Sequence, residues 1–368
     1  MISVIIINHN YAQFIGEAIE SVLNQTYQDF ELIVIDGDSS DNSRQIITGY
    51  AEKHRDKITA VFKPTSGQAA AFNLGHKLCH GDIIAFLDAD DYFYETKLEK
   101  LANWHKRYGV IGHGRKFHDE NGLLKEMEAS LDDYEDRSIL LHNYGYIYTY
   151  NLTTSFISLR KEIADKIFPM PEDGYVTFAD IYVKVMAQYY SNIKYMPYPL
   201  GYYRIHHAQR TKDFDNKAKL VEFCADQYNK AKNDINFELK KRREPLIPEL
   251  DDANRKRGLQ MANKSIPITE GDKCVIYGTG VQGEIILSNL RIMGVQVVFA
   301  IESDTEKCGN TWHDKRICSL SEAIERRKEY DRIIIGSTNY LREISDILKL
   351  HGLKENEDFC SLVSVPND

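Results

Sequence analysis

Residues 83–91 read Ile83-Ile84-Ala85-Phe86-Leu87-Asp88-Ala89-Asp90-Asp91, an unbroken apolar run that ends in three carboxylates within four positions. Such a run, bounded by polar residues, is what a strand buried on both faces of a parallel sheet requires. Clustered Asp at its end places hard oxygen donors where the sheet opens to solvent, and open α/β folds bind ligands there. Taken alone, Asp-x-Asp-Asp also fits a capped start for a helix from Tyr92 onward. The order of the surrounding elements separates the two readings.

Working back from that stretch, strand-like runs recur at Val4–Ile7, Leu32–Ile35 and Ala60–Phe62, and helical patterns at Phe14–Asn24, Ser43–His54 and Gln68–Cys79 separate them. Repeated βα units predict a parallel, doubly wound sheet with its ligand site at the carboxyl ends of the strands. Three polar clusters fall at those ends: Asn8-His9-Asn10, Asp36-Gly37-Asp38-Ser39-Ser40-Asp41, and Asp88 to Asp91.

The chain has 368 residues, 43% of them hydrophobic, which suits two compact domains better than one. A formal net charge of -9 excludes the basic footprint of a general nucleic-acid binder. The six cysteines, Cys79, Cys224, Cys274, Cys308, Cys318 and Cys360, are dispersed without a Cys-x-x-Cys pair, as expected of reduced thiols in a cytoplasmic protein. The apolar run after Met1 is too short for a signal peptide and lacks a basic leader, and no stretch approaches the roughly 18 apolar residues of a membrane span.

Beyond the first hundred residues the pattern loosens. Residues 105–211 are rich in Tyr and hold a strand-like Ser155–Leu159, a helix over Asp180–Tyr190, and the run Tyr202-Tyr203-Arg204-Ile205-His206-His207. Tyr144, Tyr146, Tyr148 and Tyr150 alternate, as in a half-buried strand or an aromatic platform for sugars. Residues 212–265 read as a charged helical connector, whose Lys240-Lys241-Arg242-Arg243 is either a solvated face or a contact for an anionic membrane. Residues 266–368 read as a small Rossmann-like unit. There Lys273–Tyr277 is a strand, Gly278-x-Gly280-x-x-Gly283 a glycine turn, Glu284–Met293 a helix, and Glu302 an acidic residue about twenty positions on.

Taken together, these segments resemble the family 2 glycosyltransferases. The resemblance is carried by Ser3 to Asn10, Ala18 to Tyr27, Glu31 to Ser43, Gly67 to Gly75, Gly81 to Asp91 and Phe156 to Thr211. It covers residues 1–211 and implies an inverting enzyme of the GT-A fold, an α/β fold for nucleotide-diphospho-sugar transfer. On this resemblance Asp90 and His206 hold a divalent cation, Mn²⁺ or Mg²⁺, and Asp88 faces the nucleotide. His9, Asp36, Asp38, Gln68 and Asn73 belong to the donor site, and Asp180 is the catalytic base. Two departures stand out: Gly37 occupies the second acidic position of the family's Asp-Asp-Gly-Ser turn, and Ala179 and Tyr182 replace acidic residues common around Asp180.

The resemblance implies a nucleoside diphosphate sugar donor, with UDP-sugars expected, and a glycan or lipid-linked glycan acceptor in bacterial surface polysaccharide synthesis. In the last unit Gly278, Gly280, Gly283 and Glu302 are the candidate nucleotide contacts. Two other functions fit parts of the chain. One is an NAD-dependent sugar oxidoreductase or epimerase, although the only Tyr-x-x-x-Lys pair, Tyr228 and Lys232, lies upstream of the glycine turn. The other is a non-catalytic nucleotide-sugar-binding protein.

Overall fold

The computed structural model describes all residues except 120–121, 128–136, 145–151, 176, 208–216, 264–265, 267, 338–339 and 363–368. The alternating Tyr146, Tyr148 and Tyr150 lie outside the described residues. The chain divides into two compact units. One comprises Met1–Ser138, Tyr148–Asp213 and Gln227–Leu246; the other comprises Ile139–Ile147, Phe214–Asp226 and Ile247–Asp368.

The first unit opens with β1 (Ile2–Asn8), α1 (Ala12–Leu23), β2 (Phe30–Asp36), α2 (Ser43–Lys53), β3 (Ile58–Phe62), α3 (Gln68–Lys77) and β4 (Ile83–Asp88). The four strands pair in parallel in the order β3-β2-β1-β4. Ile2, Val4, Ile5 and Ile6 are completely buried, as only a central strand covered on both faces allows. Helix α1 packs Ile15, Ala18, Ile19 and Val22 into the same core, the spacing of a single helical stripe. Each of those large side chains contributes roughly 1.5–3 kcal/mol by leaving water. The chain lays β2 and β3 on one side of β1 and β4 on the other. The carboxyl ends of β1 and β4 therefore flank a topological switch point, with Ile7 opposite Asp88 and Asn8 opposite Asp36.

After Asp91 no helix starts at Tyr92, so the capped-helix alternative does not hold. Tyr92–Phe93 forms a short strand, β5, and helix α4 begins at Lys97 and runs to Trp104. The chain continues with β6 (Val110–Asp119), β7 (Gly122–Met127), α5 (Arg137–Tyr144), a 3-10 turn at Thr154–Phe156, β8 (Ile157–Arg160), α6 (Lys161–Ile167), α7 (Ala179–Tyr190), β9 (Ile193–Arg204) and α8 (Lys217–Arg242); most of α5 and the first part of α8 are counted with the second unit. The complete order is β3-β2-β1-β4-β8-β6-β9-β5, with β7 on β6. Strand β8 is antiparallel to β4 and β6, while β9 runs parallel to β6. This is a parallel-dominated mixed sheet, within the α/β class that the resemblance implies. Its distal edge matters for the site. Tyr92 pairs with Tyr202, so the turn after β4 returns to lie beside the end of β9.

The second unit holds α9 (Asp252–Ala262), β10 (Lys273–Tyr277), α10 (Val281–Met293), β11 (Gln296–Ile301), β12 (Thr311–Trp312), β13 (Lys315–Cys318), α11 (Leu320–Glu325), β14 (Arg332–Ile335), α12 (Leu341–Leu350) and β15 (Phe359–Cys360). Its sheet order is β12-β13-β11-β10-β14-β15, parallel except for β12. Gly278 has φ 109°, and a Cβ on Gly283 would fall 2.2 Å from the Gly278 carbonyl oxygen. Both glycines are thus demanded by the close strand-to-helix turn. Cys79, Cys274, Cys308, Cys318 and Cys360 are all free thiols. No helix among the described residues is long and apolar enough to cross a membrane.

Candidate active site

A cavity of about 340 Å³ opens at the switch point of the first unit. His9, Gly37, Gln68, Asp88, Asp90 and Asp180 line it, together with Asn8, Phe178 and Tyr203. Five elements supply most of these side chains: the ends of β1 and β4, the start of α3, the first turn of α7, and the end of β9.

Asp88 terminates β4 at the cavity wall. Burial, then the charges of Asp90, Asp91 and Asp180, push its carboxyl well above the usual carboxylate range. Like charges in one desolvated place are costly unless something positive joins them. Asp90 meets His206, with Oδ2 3.0 Å from Nε2, and the His206 ring packs against Phe14 at 4.5 Å between ring centres. Among the described residues no group of three or more His, Cys, Asp or Glu side chains forms a ready ligand set. A carboxylate and an imidazole nevertheless suit Mg²⁺ or Mn²⁺, since Mg²⁺ is commonly held by one or two carboxylates with substrate phosphates and water completing the shell. The crowded carboxylates are what such a charge would relieve.

Asp91 is not a helix cap. It is buried, its Oδ2 accepts from Ser155 Oγ at 2.6 Å, and its Oδ1 accepts from the Arg204 N–H at 3.0 Å. Ser155 Oγ also accepts from the Asp88 N–H at 3.0 Å. Its carbonyl accepts from the buried Lys97 Nζ at 2.6 Å, and that ammonium sits 3.4 Å from the Phe93 ring centre. Desolvation and the Asp90 charge raise the Asp91 carboxyl; burial drives the Lys97 amine well down, with Asp91 opposing. Arg204 completes the brace: its Nε donates to the Asp90 carbonyl at 2.9 Å and its guanidinium pairs with Glu17. The acidic turn is therefore held from behind by Ser155 and from the side by Arg204.

Asp180 stands in the first turn of α7, on the same cavity, with Oδ2 2.9 Å from Lys184 Nζ. Phe178, just before the helix, has φ 57°, the left-handed region that bulky residues avoid. That turn of the backbone lets Phe178 and Asp180 both line the cavity. Nothing in the sequence signals it, because an aromatic residue carries no preference for positive φ. Lys184, by contrast, was available from the four-residue spacing that puts it one turn beyond Asp180.

The remaining candidates divide into those on the cavity and those behind it. His9 is exposed and lines the cavity, with Nδ1 3.2 Å from the Gly37 carbonyl oxygen. Gln68 also lines it, while its Oε1 accepts from the Ala179 N–H at 3.1 Å and so ties α3 to the start of α7. The Ala69 N–H is taken by the Tyr175 carbonyl at 3.2 Å, so this helix start offers fewer free donors to an anion than expected. Asp36 lies behind the wall: it is buried, accepting from Asn8 Nδ2 at 2.7 Å and from the Ser39 N–H at 2.9 Å. Asp38 is exposed at φ 68° and, like Asn73, is not on the cavity. The Asn73 amide exchanges two bonds with the Met170 backbone, at 2.8 and 2.9 Å, locking a loop.

In the second unit the glycine turn has its own internal anion. Glu302 Oε1 accepts from the Thr279 N–H at 2.7 Å and from the Thr279 hydroxyl, with Lys307 3.7 Å away. The acidic residue that the dinucleotide pattern assigns to a ribose thus closes back on the turn between Gly278 and Gly280.

Residues 3–168 match the family model described as glycosyl transferase family 2, and residues 270–357 match the one described as C2185-like, N-terminal. An uncharacterised glycosyltransferase of Nostoc sp. is 35% identical over 211 residues, which are 56% of this chain and 65% of that protein. The minor teichoic acid biosynthesis protein GgaB of Bacillus subtilis is 38% identical over 104 residues, 28% of this chain and 12% of that protein. The chain thus spans less than two thirds of the curated relatives it matches. Among solved structures, TarS residues 1–349 of S. aureus in complex with UDP-GlcNAc aligns with a TM-score of 0.47 and 17% identity, covering 73% of this chain and 76% of that one.

Proposed function

We propose, on the match of residues 3–168 to the family model described as glycosyl transferase family 2, that this chain is a metal-dependent inverting glycosyltransferase. It moves a sugar from a nucleoside diphosphate donor, a UDP-sugar, to a hydroxyl of a glycan or lipid-linked glycan. The observation that carries this reading is the placement of Asp88, Asp90 and Asp180 on one cavity at the sheet's switch point, with His206 paired to Asp90. The match to a teichoic acid biosynthesis protein supports surface polysaccharide as the product class.

In the proposed reaction the acceptor hydroxyl gives its proton to Asp180 as its oxygen bonds to the anomeric carbon. The bond from that carbon to the diphosphate oxygen breaks on the opposite face, and the diphosphate leaves with the electron pair. Asp90 and His206 would hold a Mn²⁺ or Mg²⁺ ion, whose chemistry is to neutralise the charge gathering on the leaving group. Ser155 and Arg204 keep Asp90 and Asp91 in place, and Asp88, with His9 and Gln68, bounds the donor side.

Residues 1–211 are the transferase domain in this reading, 212–265 the connector and 266–368 a nucleotide-binding-type module. The protein works in the cytoplasm. Lys240, Lys241 and Arg243, all exposed beside the exposed Phe237 and Leu246, supply a peripheral contact for an anionic membrane.

Thermal stabilisation by a panel of nucleotide sugars, with and without Mn²⁺, tests the proposal. A shift with UDP-sugars that requires the metal, and that disappears in Asp90→Ala while the fold is kept, is the expected result. A metal-independent shift retained in Asp90→Ala would overturn it.

A further inference from the structure

Helix α7 carries a lysine where an apolar residue is expected. Ile181, Tyr182, Val183, Val185, Met186 and Ala187 are all buried, and Lys184 among them has a side chain only 7% exposed. A buried ammonium costs several kcal/mol unless it is paired and hydrogen-bonded. Lys184 has both: Nζ lies 2.9 Å from Asp180 Oδ2 and 3.0 Å from the Leu152 carbonyl oxygen. It thereby spans from the first turn of α7 to the segment that leads into Thr153 and Thr154, two residues on the cavity wall.

The pairing has a direction. Lys184 takes Oδ2, among the described residues no hydrogen bond engages Oδ1, and Asp180 lines a cavity already crowded by Asp88 and Asp90. A carboxylate with neither oxygen held, beside those charges, is free to rotate away from them and from an arriving acceptor.

Resting on the reading of Asp180 as the base, we propose that Lys184 is a positioning residue for the transfer. It fixes the Asp180 carboxylate by one oxygen and keeps the other presented to the acceptor hydroxyl. Lys184 touches no reacting atom. A charge held at this point is required, whereas mere filling of the helix interface is not sufficient.

The test uses the full chain, with Mn²⁺ and UDP-hexoses and UDP-N-acetylhexosamines as donors, following UDP release. Four proteins are compared with wild type: Lys184→Met, Lys184→Arg, Asp180→Asn and the double variant Asp180→Asn/Lys184→Met. Melting temperature and UDP affinity are measured alongside. Asp180→Asn should lower kcat by about 10²–10⁴-fold, the usual scale of a general base. Lys184→Met should lower kcat by at least about tenfold with the KM for donor and the Kd for UDP within about twofold, and Lys184→Arg should recover most of the loss. The double variant should be no slower than Asp180→Asn alone, since the lysine acts only through that carboxylate.

Wild-type kcat in Lys184→Met, failure of Arg to rescue, or losses that multiply in the double variant would each overturn the proposal while leaving Asp180 as the base. Wild-type turnover in Asp180→Asn would instead remove the reading beneath it. Should Lys184→Met not fold, Lys184→Gln, which keeps a donor for Leu152 but no charge, makes the same comparison.

Discussion

Ser155→Ala probes how the acidic turn is held. Ser155 is fully buried, and one hydroxyl oxygen serves two partners: it donates to Asp91 Oδ2 at 2.6 Å and accepts from the Asp88 N–H at 3.0 Å. The bond to Asp91 is to a group of carboxylate type, worth about 1.5–3 kcal/mol. Losing it removes one of the contacts that oppose the upward push on the Asp91 carboxyl. The Asp88 N–H is left without its acceptor, a further cost of about 1–3 kcal/mol. Because the two bonds share one atom they do not add fully, and about 3–4 kcal/mol is the expected loss. Urea unfolding of wild type and variant, read by circular dichroism at neutral pH, measures it. A cycle with Asp91→Asn separates the two bonds: most of the cost should persist in the Asn background only if the Asp88 N–H dominates. A loss below about 1 kcal/mol, at unchanged m, would refute the claim that this hydroxyl braces the turn.

Two further outcomes follow from the packing. His105 is buried, with Nδ1 3.0 Å from the Tyr108 carbonyl oxygen and Nε2 2.8 Å from Ser158 Oγ, a neutral imidazole by its partners. Desolvation lowers it to about 4. The unfolded chain therefore binds the proton first, and stability is lost as pH falls from about 6.5 to about 4, by about 3 kcal/mol. Folding free energy against pH for wild type and His105→Gln should converge across that window; a constant difference would contradict it. Gly81→Ala places a Cβ 2.6 Å from the Ser3 nitrogen and 2.9 Å from the Ile2 carbonyl carbon, backbone that cannot step aside. It should cost about 1–3 kcal/mol. Gly49→Ala in α2, with nothing within 4 Å of the new methyl, should gain about 0.5–1 kcal/mol, and equal melting shifts for the two would be the disproof.

Where sequence reasoning succeeded, one physical signal was responsible. Strands buried on both faces carry near-continuous apolar runs, and Val4–Ile7 in β1, Leu32–Ile35 in β2 and Ile83–Leu87 in β4 are unbroken, so their parallel pairing could be read from them. The alternative of a helix from Tyr92 could not be replaced by a strand from the sequence because two residues give no period. Tyr92–Phe93 is a strand only because Gly201 and Tyr202 are there to pair with it. Asp36 and Asn73 illustrate a different limit. Their residue types suit either a ligand contact or a structural tie, and only the placement of Asn8, Ser39 and Met170 assigns their hydrogen bonds.

The sequence by itself determined that an acidic turn ends a central parallel strand, because the solvation of apolar side chains and the period of a strand are local properties. It likewise determined the glycine turn of the second unit, since the positive φ of Gly278 and the 2.2 Å a Cβ on Gly283 would leave to the Gly278 carbonyl oxygen both call for glycine. Tertiary structure alone decided which carboxylates meet. Asp90 reaches His206, 116 positions away, because β5 pairs with β9; Asp91 turns inward because Ser155 and Arg204 are there to receive it. A carboxylate's role depends on its desolvation and on the charges within a few ångströms, and both are set by long-range contacts.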